Sequence, residues 1–326
     1  MGTRQKAYLL FSYAAFFILS GYTTKQAIDN PFTNIKKYAK QLLLPYLYIA
    51  VVSSLVYLSR NGFTAEYIFN EFLRIALGSG VPADYGPGRP IFLKSIPVAG
   101  AIWFLPAMFW CKVIFACILK ITQKHSEWIR AVICMIVSTA GYIVGQHYKL
   151  PLGFDIGVFT IGFLYVGFLI KKYKIMQKIN ASWALIGVAL WYLSMKANAI
   201  ELSARAYRSF PMCFFAFLGA VGATVVIGKF SEEMLEKTKV IKPILLFAGK
   251  KSLYILAMHH LESLFFNWNA LAAKIPLPSF YQGVLIAVLR IIVAVLLAWI
   301  YVKLYTFLKE KWKNRRIFAS SSRPVS

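Results

Sequence analysis

Two adjacent histidines and a glutamate interrupt an otherwise apolar run, SLYILAMHHLESLFF, at residues 252–266. A charge deep in a membrane costs about 2.5–3.5 kcal/mol on insertion scales unless it is paired or hydrated. His259 is therefore a candidate general base in a water-filled site, since imidazole titrates near neutral pH. A simpler interpretation also fits. Arg290, in the next apolar segment, would pair with Glu262 and staple two helices, with His259 and His260 hydrogen-bonded between them.

A second group of polar and aromatic residues lies in and between other apolar segments. Asp155 opens the segment LPLGFDIGVF, and Trp103 lies in AIWFLPAMF. The connection NAIELSARAYRSF, residues 198–210, supplies Arg205 and Tyr207. Aromatic and carboxylate groups around an outward cavity suit a polyol or sugar acceptor. The same residues alone would form an ordinary interfacial belt, so both interpretations stay open.

Basic residues begin another apolar segment, in NIKKYAKQLLLPY. Lys37 and Lys40 are three residues apart and would share a face of an α-helix. They could bind the phosphates of a cofactor. Positive charge at the cytoplasmic end of a membrane helix explains the same two lysines. The four cysteines lie in apolar segments without C-x-x-C spacing or nearby histidines, which predicts buried thiols and no metal site.

These residues must be positioned by membrane helices. Apolar residues make up 59% of the 326 residues and the mean hydropathy is +0.61, whereas a soluble domain is about 45–50% apolar. A bilayer core of about 30 Å needs roughly 20 apolar residues per helix. We predict an all-α, polytopic transmembrane helix bundle over residues 1–311, followed by a basic, disordered cytoplasmic tail over 312–326. About nine spanning helices are predicted: 7–22, 42–58, 97–119, 128–146, 154–170, 182–195, 210–228, 252–266 and 284–308.

The distribution of charge predicts the orientation of these helices. The chain has 37 Lys and Arg against 12 Asp and Glu. If nine segments alternate from an outer N-terminus, 24 Lys and Arg fall inside and 11 outside. This bias predicts an N-out, C-in protein that contacts the anionic leaflet of a lipid bilayer. The basic charge is thereby accounted for, and no nucleic-acid partner is expected.

The longest polar connection, residues 59–96, contains one further helical pattern. Phe69, Phe72, Leu73 and Ala76 recur at i, i+3, i+4 and i+7. This spacing predicts an amphipathic interfacial helix over residues 64–77.

Six strings in series resemble the integral-membrane acyltransferase family 3, in particular its fucose-acetylase and exopolysaccharide O-acetylase branch. The resemblance covers nearly the whole chain. The strings are FFILSGY (16–22), KKYAKQLLLPYL (36–47), WFLPAMF (103–109), LPLGFDIGVFTIGFLYVGFLIKK (150–172), ELSARAY (201–207) and GKKSLYILAMHH (249–260).

The resemblance implies transfer of an acyl group, expected to be acetyl, from cytoplasmic acyl-CoA to a hydroxyl of an extracytoplasmic sugar or polysaccharide. Acyl-CoA would be a co-substrate, with no bound cofactor and no metal. Lys37 and Lys40 match the basic pair before L-x-P-Y and would meet the CoA phosphates. His259 matches the histidine that closes S-L-Y-I-x-x-x-H and would be catalytic. The expected substrate-binding residues are Trp103, Asp155, Arg205 and Tyr207 from the motifs, with Glu262 and Arg290 from their depth. The expected location is a bacterial plasma (inner) membrane.

One departure from the family pattern bears on activity. The principal catalytic histidine of the family lies in a first helix that precedes FFILSGY, and the string FSYAAFF has Ser12 where a histidine is often found. We therefore expect this chain to lack the first transmembrane helix and to have very low activity.

Two other functions fit the same residues. A carrier or flippase for a polar lipid or saccharide would place Arg290 and Glu262 in its pathway, although no internal symmetry supports it. A catalytically inactive partner or fragment is the third alternative.

Overall fold

The computed structural model describes residues 3–25, 31–80, 89–90, 98–179, 181–197, 200–201, 206–207, 212–239 and 241–321. The described residues are almost entirely helical, as predicted. The chain divides into two compact units, Met1–Thr238 and Lys239–Ser326.

Helices dominate the first unit. They are α1 (Thr3–Tyr22), α2 (Pro31–Tyr38), α3 (Leu44–Asn61), α4 (Ala65–Leu77), α5 (Phe104–Ile121), α6 (Glu127–His147), α7 (Phe154–Phe159), α8 (Ile161–Lys172), α9 (Ile175–Lys178), α10 (Ala181–Ala197) and α11 (Met212–Lys237). A π-helical turn, Ala39–Leu43, joins α2 to α3, and 3₁₀ turns cover Gly100–Trp103 and Pro151–Gly153. Two short ladders pair β1 (Arg89–Pro90) with β2 (Tyr148–Lys149) in parallel and β3 (Ile200–Glu201) with β4 (Ala206–Tyr207) antiparallel.

Close backbone packing holds the first unit together. α5 is its central helix, because 72% of its apolar stretch is buried. α1 packs against α8 where Gly21 and Gly167 bring the backbones together. A Cβ at either glycine would lie 1.8 Å from a carbonyl oxygen of the other helix. This spacing has no room for a side chain, so only glycine permits the approach.

The helix predicted in the outer connection is confirmed as α4. Thr64 caps it, and its hydroxyl accepts a hydrogen bond from Tyr67 N at 3.2 Å. The polar side of α4 faces the protein. The Arg74 guanidinium binds the Glu71 carboxylate of the same helix at 2.7 Å and the Ser54 hydroxyl of α3 at 2.8 Å. Ile68, Phe69 and Phe72 of α4 are largely exposed. A helix with its apolar face outward suits the interface of a bilayer.

The second unit contains the remaining four helices. They are α12 (Ile241–Lys250), α13 (Ser252–Phe265), α14 (Trp268–Ala273) and α15 (Ser279–Ser321). α13 packs along α15, and α14 closes the connection between them. α15 continues to Ser321, so the boundary expected at residue 311 falls inside a helix. The division into one domain and a tail stays a prediction.

The chain is an integral membrane protein by the length and apolar character of its helices. Within the described residues five helices are long and apolar enough to cross a bilayer: Thr33–Asn61, Gly100–Ile121, Glu127–His147, Cys213–Met234 and Tyr281–Phe307. A sixth span is formed if α7 and α8, which meet at a bend of 49°, cross together. The count of nine and the N-out, C-in orientation stay predictions.

Candidate functional site

Glu262 is the centre of a polar cluster in the second unit. Its side chain is fully buried in α13, yet it accepts hydrogen bonds from three other side chains. Buried carboxylates are costly unless each oxygen has a partner. The partners of Glu262 therefore explain how an ionised group can lie in this apolar helix.

Arg290 and Trp268 supply two of these partners. Arg290, on α15, directs both Nε and Nη2 to Glu262 Oε1 at 3.0 Å. Trp268, the first residue of α14, donates its indole N–H to Glu262 Oε2. The Arg290 guanidinium carbon also lies 5.8 Å from the centroid of the Trp268 ring, within the range of a cation–π interaction. The ion pair predicted between Arg290 and Glu262 is present.

His259 is the third partner of the carboxylate. Its Nδ1 lies 3.1 Å from Glu262 Oε1, one helical turn along α13, and its side chain is 42% exposed. When Nδ1 donates its proton to the carboxylate, Nε2 carries the free lone pair. The cluster thus presents an oriented imidazole whose outer nitrogen can accept a proton. The same glutamate therefore joins two helices and orients the histidine, and the role of His259 as a base stays a prediction.

A short helix holds Trp268 in place. Asn267 caps α14, and its side-chain oxygen accepts from Ala270 N at 3.1 Å. Gln282 of α15 donates to the Ala272 carbonyl at the other end of α14. The sequence analysis missed Trp268. The signal for it was the Asn267 cap, which starts a helix directly after α13.

His260, the neighbouring histidine, is buried at 8% exposure. Its carbonyl oxygen accepts from the Ser263 hydroxyl at 2.6 Å. It lies on another face of α13 from His259, and we assign it no chemical role.

The lysine pair lies in the first unit, at the junction of two helix types. Lys37 is the next-to-last residue of α2, and Lys40 lies in the π-helical turn Ala39–Leu43. Both side chains are exposed. The winding changes from α-helical to π-helical between them, and the expectation that the two side chains share a face stays a prediction. π turns are rare and are frequent at functional sites.

Trp103 and Asp155 are both buried in the first unit. Trp103 is 2% exposed, and its ring packs edge-on against Tyr13 at 5.1 Å between centroids. Asp155 is 1% exposed and accepts from Leu150 N at 3.2 Å, closing the turn before α7. These contacts give each residue a part in packing, and their roles toward a substrate stay predictions.

Arg205 lies outside the described residues. Tyr207 belongs to β4, where it pairs with Ile200 of β3. Arg205 and Tyr207 were expected to bind substrate, and that stays a prediction. Among the described residues, no group of three or more His, Cys, Asp or Glu side chains could hold a metal ion.

A second glutamate cluster, in the first unit, was missed by the sequence analysis. Glu127, at the start of α6, pairs with Arg130 at 2.9 Å and with Lys172 of α8. The Tyr165 hydroxyl donates to Glu127 Oε1 at 3.1 Å. The i,i+3 spacing of Glu127 and Arg130 was a readable signal. This cluster ties the start of α6 to the end of α8.

Comparison with known proteins gives one match. The family model described as an acyltransferase domain matches residues 7–302. No curated protein and no solved structure matches the chain significantly.

Proposed function

The chain belongs to acyltransferase family 3, and from this premise we propose that it transfers an acyl group from acyl-CoA to a sugar hydroxyl. It is a membrane protein of the acyltransferase type; the acetyl group as cargo, the saccharide acceptor and the bacterial inner membrane as location are parts of the proposal. The observation that carries it is the His259–Glu262–Arg290 arrangement, which provides an oriented base next to a fixed cation.

In the proposed reaction the acceptor hydroxyl attacks the thioester carbonyl of the donor. His259 Nε2 takes the hydroxyl proton as the carbon–oxygen bond forms. The tetrahedral intermediate then expels the CoA thiolate, and the imidazolium returns the proton to that sulfur. Atoms and charges balance, because the thiol leaves with the proton that the acceptor lost.

Glu262 and Arg290 have different parts in this mechanism. Glu262 is a positioning residue, since its carboxylate fixes the ring orientation and the tautomer of His259. Arg290 uses Nε and Nη2 on the carboxylate, which leaves Nη1 to stabilise a developing oxyanion. The fixed guanidinium also balances the charge of Glu262, so the imidazole is not needed as a permanent counter-ion.

The other predicted residues are assigned to the two substrates, acyl-CoA and the acceptor sugar. Lys37 and Lys40 bind the phosphates of acyl-CoA as point charges. The acceptor sugar meets aromatic and polar groups, for which the candidates are Trp103, Asp155, Arg205 and Tyr207. The orientation that serves this division is N-out and C-in, with cytoplasmic lysines.

The test measures transfer of radiolabelled acetyl from acetyl-CoA to a panel of monosaccharides and oligosaccharides by the full chain in nanodiscs. The rate of the wild-type chain is expected to be low, because Ser12 stands where a histidine is often found, and His259→Gln is expected to lower it further by at least about 100-fold, the range of general base catalysis. Lys37→Ala is expected to raise KM for acetyl-CoA. The matched control is His125→Gln, at an exposed histidine in the turn after α5, which is expected to leave the rate unchanged.

Two results would contradict the proposal. His259→Gln with the rate of the wild type removes the histidine from the chemistry. A wild-type chain that moves a saccharide across vesicles but acetylates none of the panel is a carrier, as in the alternative considered from the sequence.

A further inference from the structure

Lys112 lies within the central helix α5, and the proposed reaction does not use it. The sequence around it is FLPAMFWCKVIFACILKI, apolar on both sides. The side chain is half-buried. An ammonium at such a position needs a partner, because lysines inside apolar spans face protein or water and pair with other groups.

The direction of Lys112 is fixed by α2. Its Nζ lies 5.1 Å from the centroid of the Tyr38 ring, in cation–π geometry. Lys37 is adjacent to Tyr38 in the chain, so it lies in the same segment that contacts Lys112. The packing of α2 and the π turn against α5 therefore places the Lys112 ammonium beside the segment that carries Lys37 and Lys40.

Among the described residues, Asp155 of α7 and Glu127 of α6 belong to helices that pack on α5, but neither forms an ion pair with Lys112 or Lys37. α2, the π turn, α3 and α5 contain no Asp or Glu. Within the described residues, neither Lys112 nor Lys37 has a carboxylate within 4.0 Å. A cation–π contact offsets only part of the penalty for burying an ammonium. The described part of the protein therefore supplies no anion to pair with Lys112 or Lys37.

We propose that Lys112, Lys37 and Tyr38 form a binding site for a phosphate group. Lys112 supplies the inner charge, Lys37 the outer charge, and the Tyr38 ring holds the Lys112 ammonium in place. The π turn, which carries Lys40 directly after Tyr38, adds a third cation to the same stretch. The site takes a phosphate of the acyl donor, an assignment that rests on the proposed function; the headgroup of an anionic lipid carries the same chemistry.

The experiment measures binding of coenzyme A, without an acyl group, to the full chain in phosphatidylcholine nanodiscs by calorimetry. Lys112→Met is expected to weaken binding by at least about tenfold, as for loss of a charge-assisted hydrogen bond. Lys112→Arg, which keeps the charge, is expected to restore most of the affinity. Lys124→Met is the matched control, because this lysine follows α5 and is exposed.

A parallel series in phosphatidylglycerol nanodiscs identifies the source of the phosphate. If coenzyme A binds Lys112→Met normally but the stabilisation by phosphatidylglycerol is lost, the occupant is a lipid headgroup and the phosphate site stands. If the folded variant behaves as the wild type toward both coenzyme A and phosphatidylglycerol, the site is overturned. The thermal transition of the unliganded variant shows that it is folded.

These results are separable from those on the reaction. Binding of coenzyme A involves no chemical step, so failure of the His259→Gln test leaves the Lys112 result untouched. A wild-type chain that does not bind coenzyme A removes the donor from the proposed function, and the lipid series still decides the phosphate site.

Discussion

Each unit of this protein has a polar cluster built around one glutamate; both clusters contain an arginine, and they differ in their two other partners. Glu127 has Arg130, Lys172 and Tyr165. Glu262 has Arg290, Trp268 and His259. Both satisfy a carboxylate in an apolar surrounding, which is what membrane packing demands.

The difference lies in what is left over after the carboxylate is satisfied. Around Glu127 two cations share one anion, and these contacts fix α6 on α8. Around Glu262 one cation neutralises the anion, and the remaining partner is a half-exposed imidazole. A buried glutamate is therefore a weak indicator of function by itself. The titratable partner with an exposed side is what marks the Glu262 cluster as the candidate site.

The largest effect is expected from Glu262→Gln. The amide keeps the size and one acceptor, but it leaves Arg290 without its counter-ion and His259 without its orienting charge. Removing one partner of a buried pair costs about 3 kcal/mol or more of stability. The transfer kcat is expected to fall by about as much as in His259→Gln, while KM for acetyl-CoA is unchanged. Thermal unfolding in nanodiscs and steady-state kinetics measure the two effects, and an unchanged kcat would deprive Glu262 of its positioning role.

Glu127→Gln is the matched change in the other cluster. It is expected to lower stability by about 1–2 kcal/mol, less than at Glu262, because the Glu127 side chain is 22% exposed and solvent screens its pairs. The kcat of the folded variant is expected to stay within about twofold of the wild type. If a folded Glu127→Gln variant lost as much activity as Glu262→Gln, the Glu127 cluster would not be purely structural.

Trp268→Phe is expected to have the smallest effect. It removes the indole N–H from Glu262 and keeps an aromatic ring beside Arg290, so about 1 kcal/mol of stability is lost, as for one net hydrogen bond. The rate should fall only a few-fold, because His259 and Arg290 still hold the carboxylate. Trp128→Phe is the control, since Trp128 is 75% exposed. A loss of rate equal to that of His259→Gln would make Trp268 a catalytic residue.

Apolar periodicity predicted the helices well. The segment expected at 252–266 is helical as α13, Ser252–Phe265, although its crossing of the membrane stays a prediction, and the amphipathic helix expected at 64–77 is α4, Ala65–Leu77. Helix spacing also placed His259 and Glu262 one turn apart on one face. These features are local, so a single stretch of sequence specifies them.

Contacts between elements could not be predicted in the same way. Trp268 reaches Glu262 only because a capped turn reverses the chain after α13. Lys112 meets Tyr38 through the packing of two helices that are distant in sequence. The π turn at Ala39–Leu43 has no distinctive residue pattern. Such features depend on tertiary packing, which overrides the regular spacing of an α-helix.

The order of synthesis gives the Glu262–Arg290 pair a further consequence. Glu262 is synthesised first, and its counter-ion Arg290 follows 28 residues later. α13 has only 14 residues and carries a carboxylate with two imidazoles, so on its own it partitions poorly into lipid. Pairing with Arg290 of α15 would lower the cost of its entry. We therefore expect the two segments to enter the bilayer together, as a helical hairpin whose halves depend on each other.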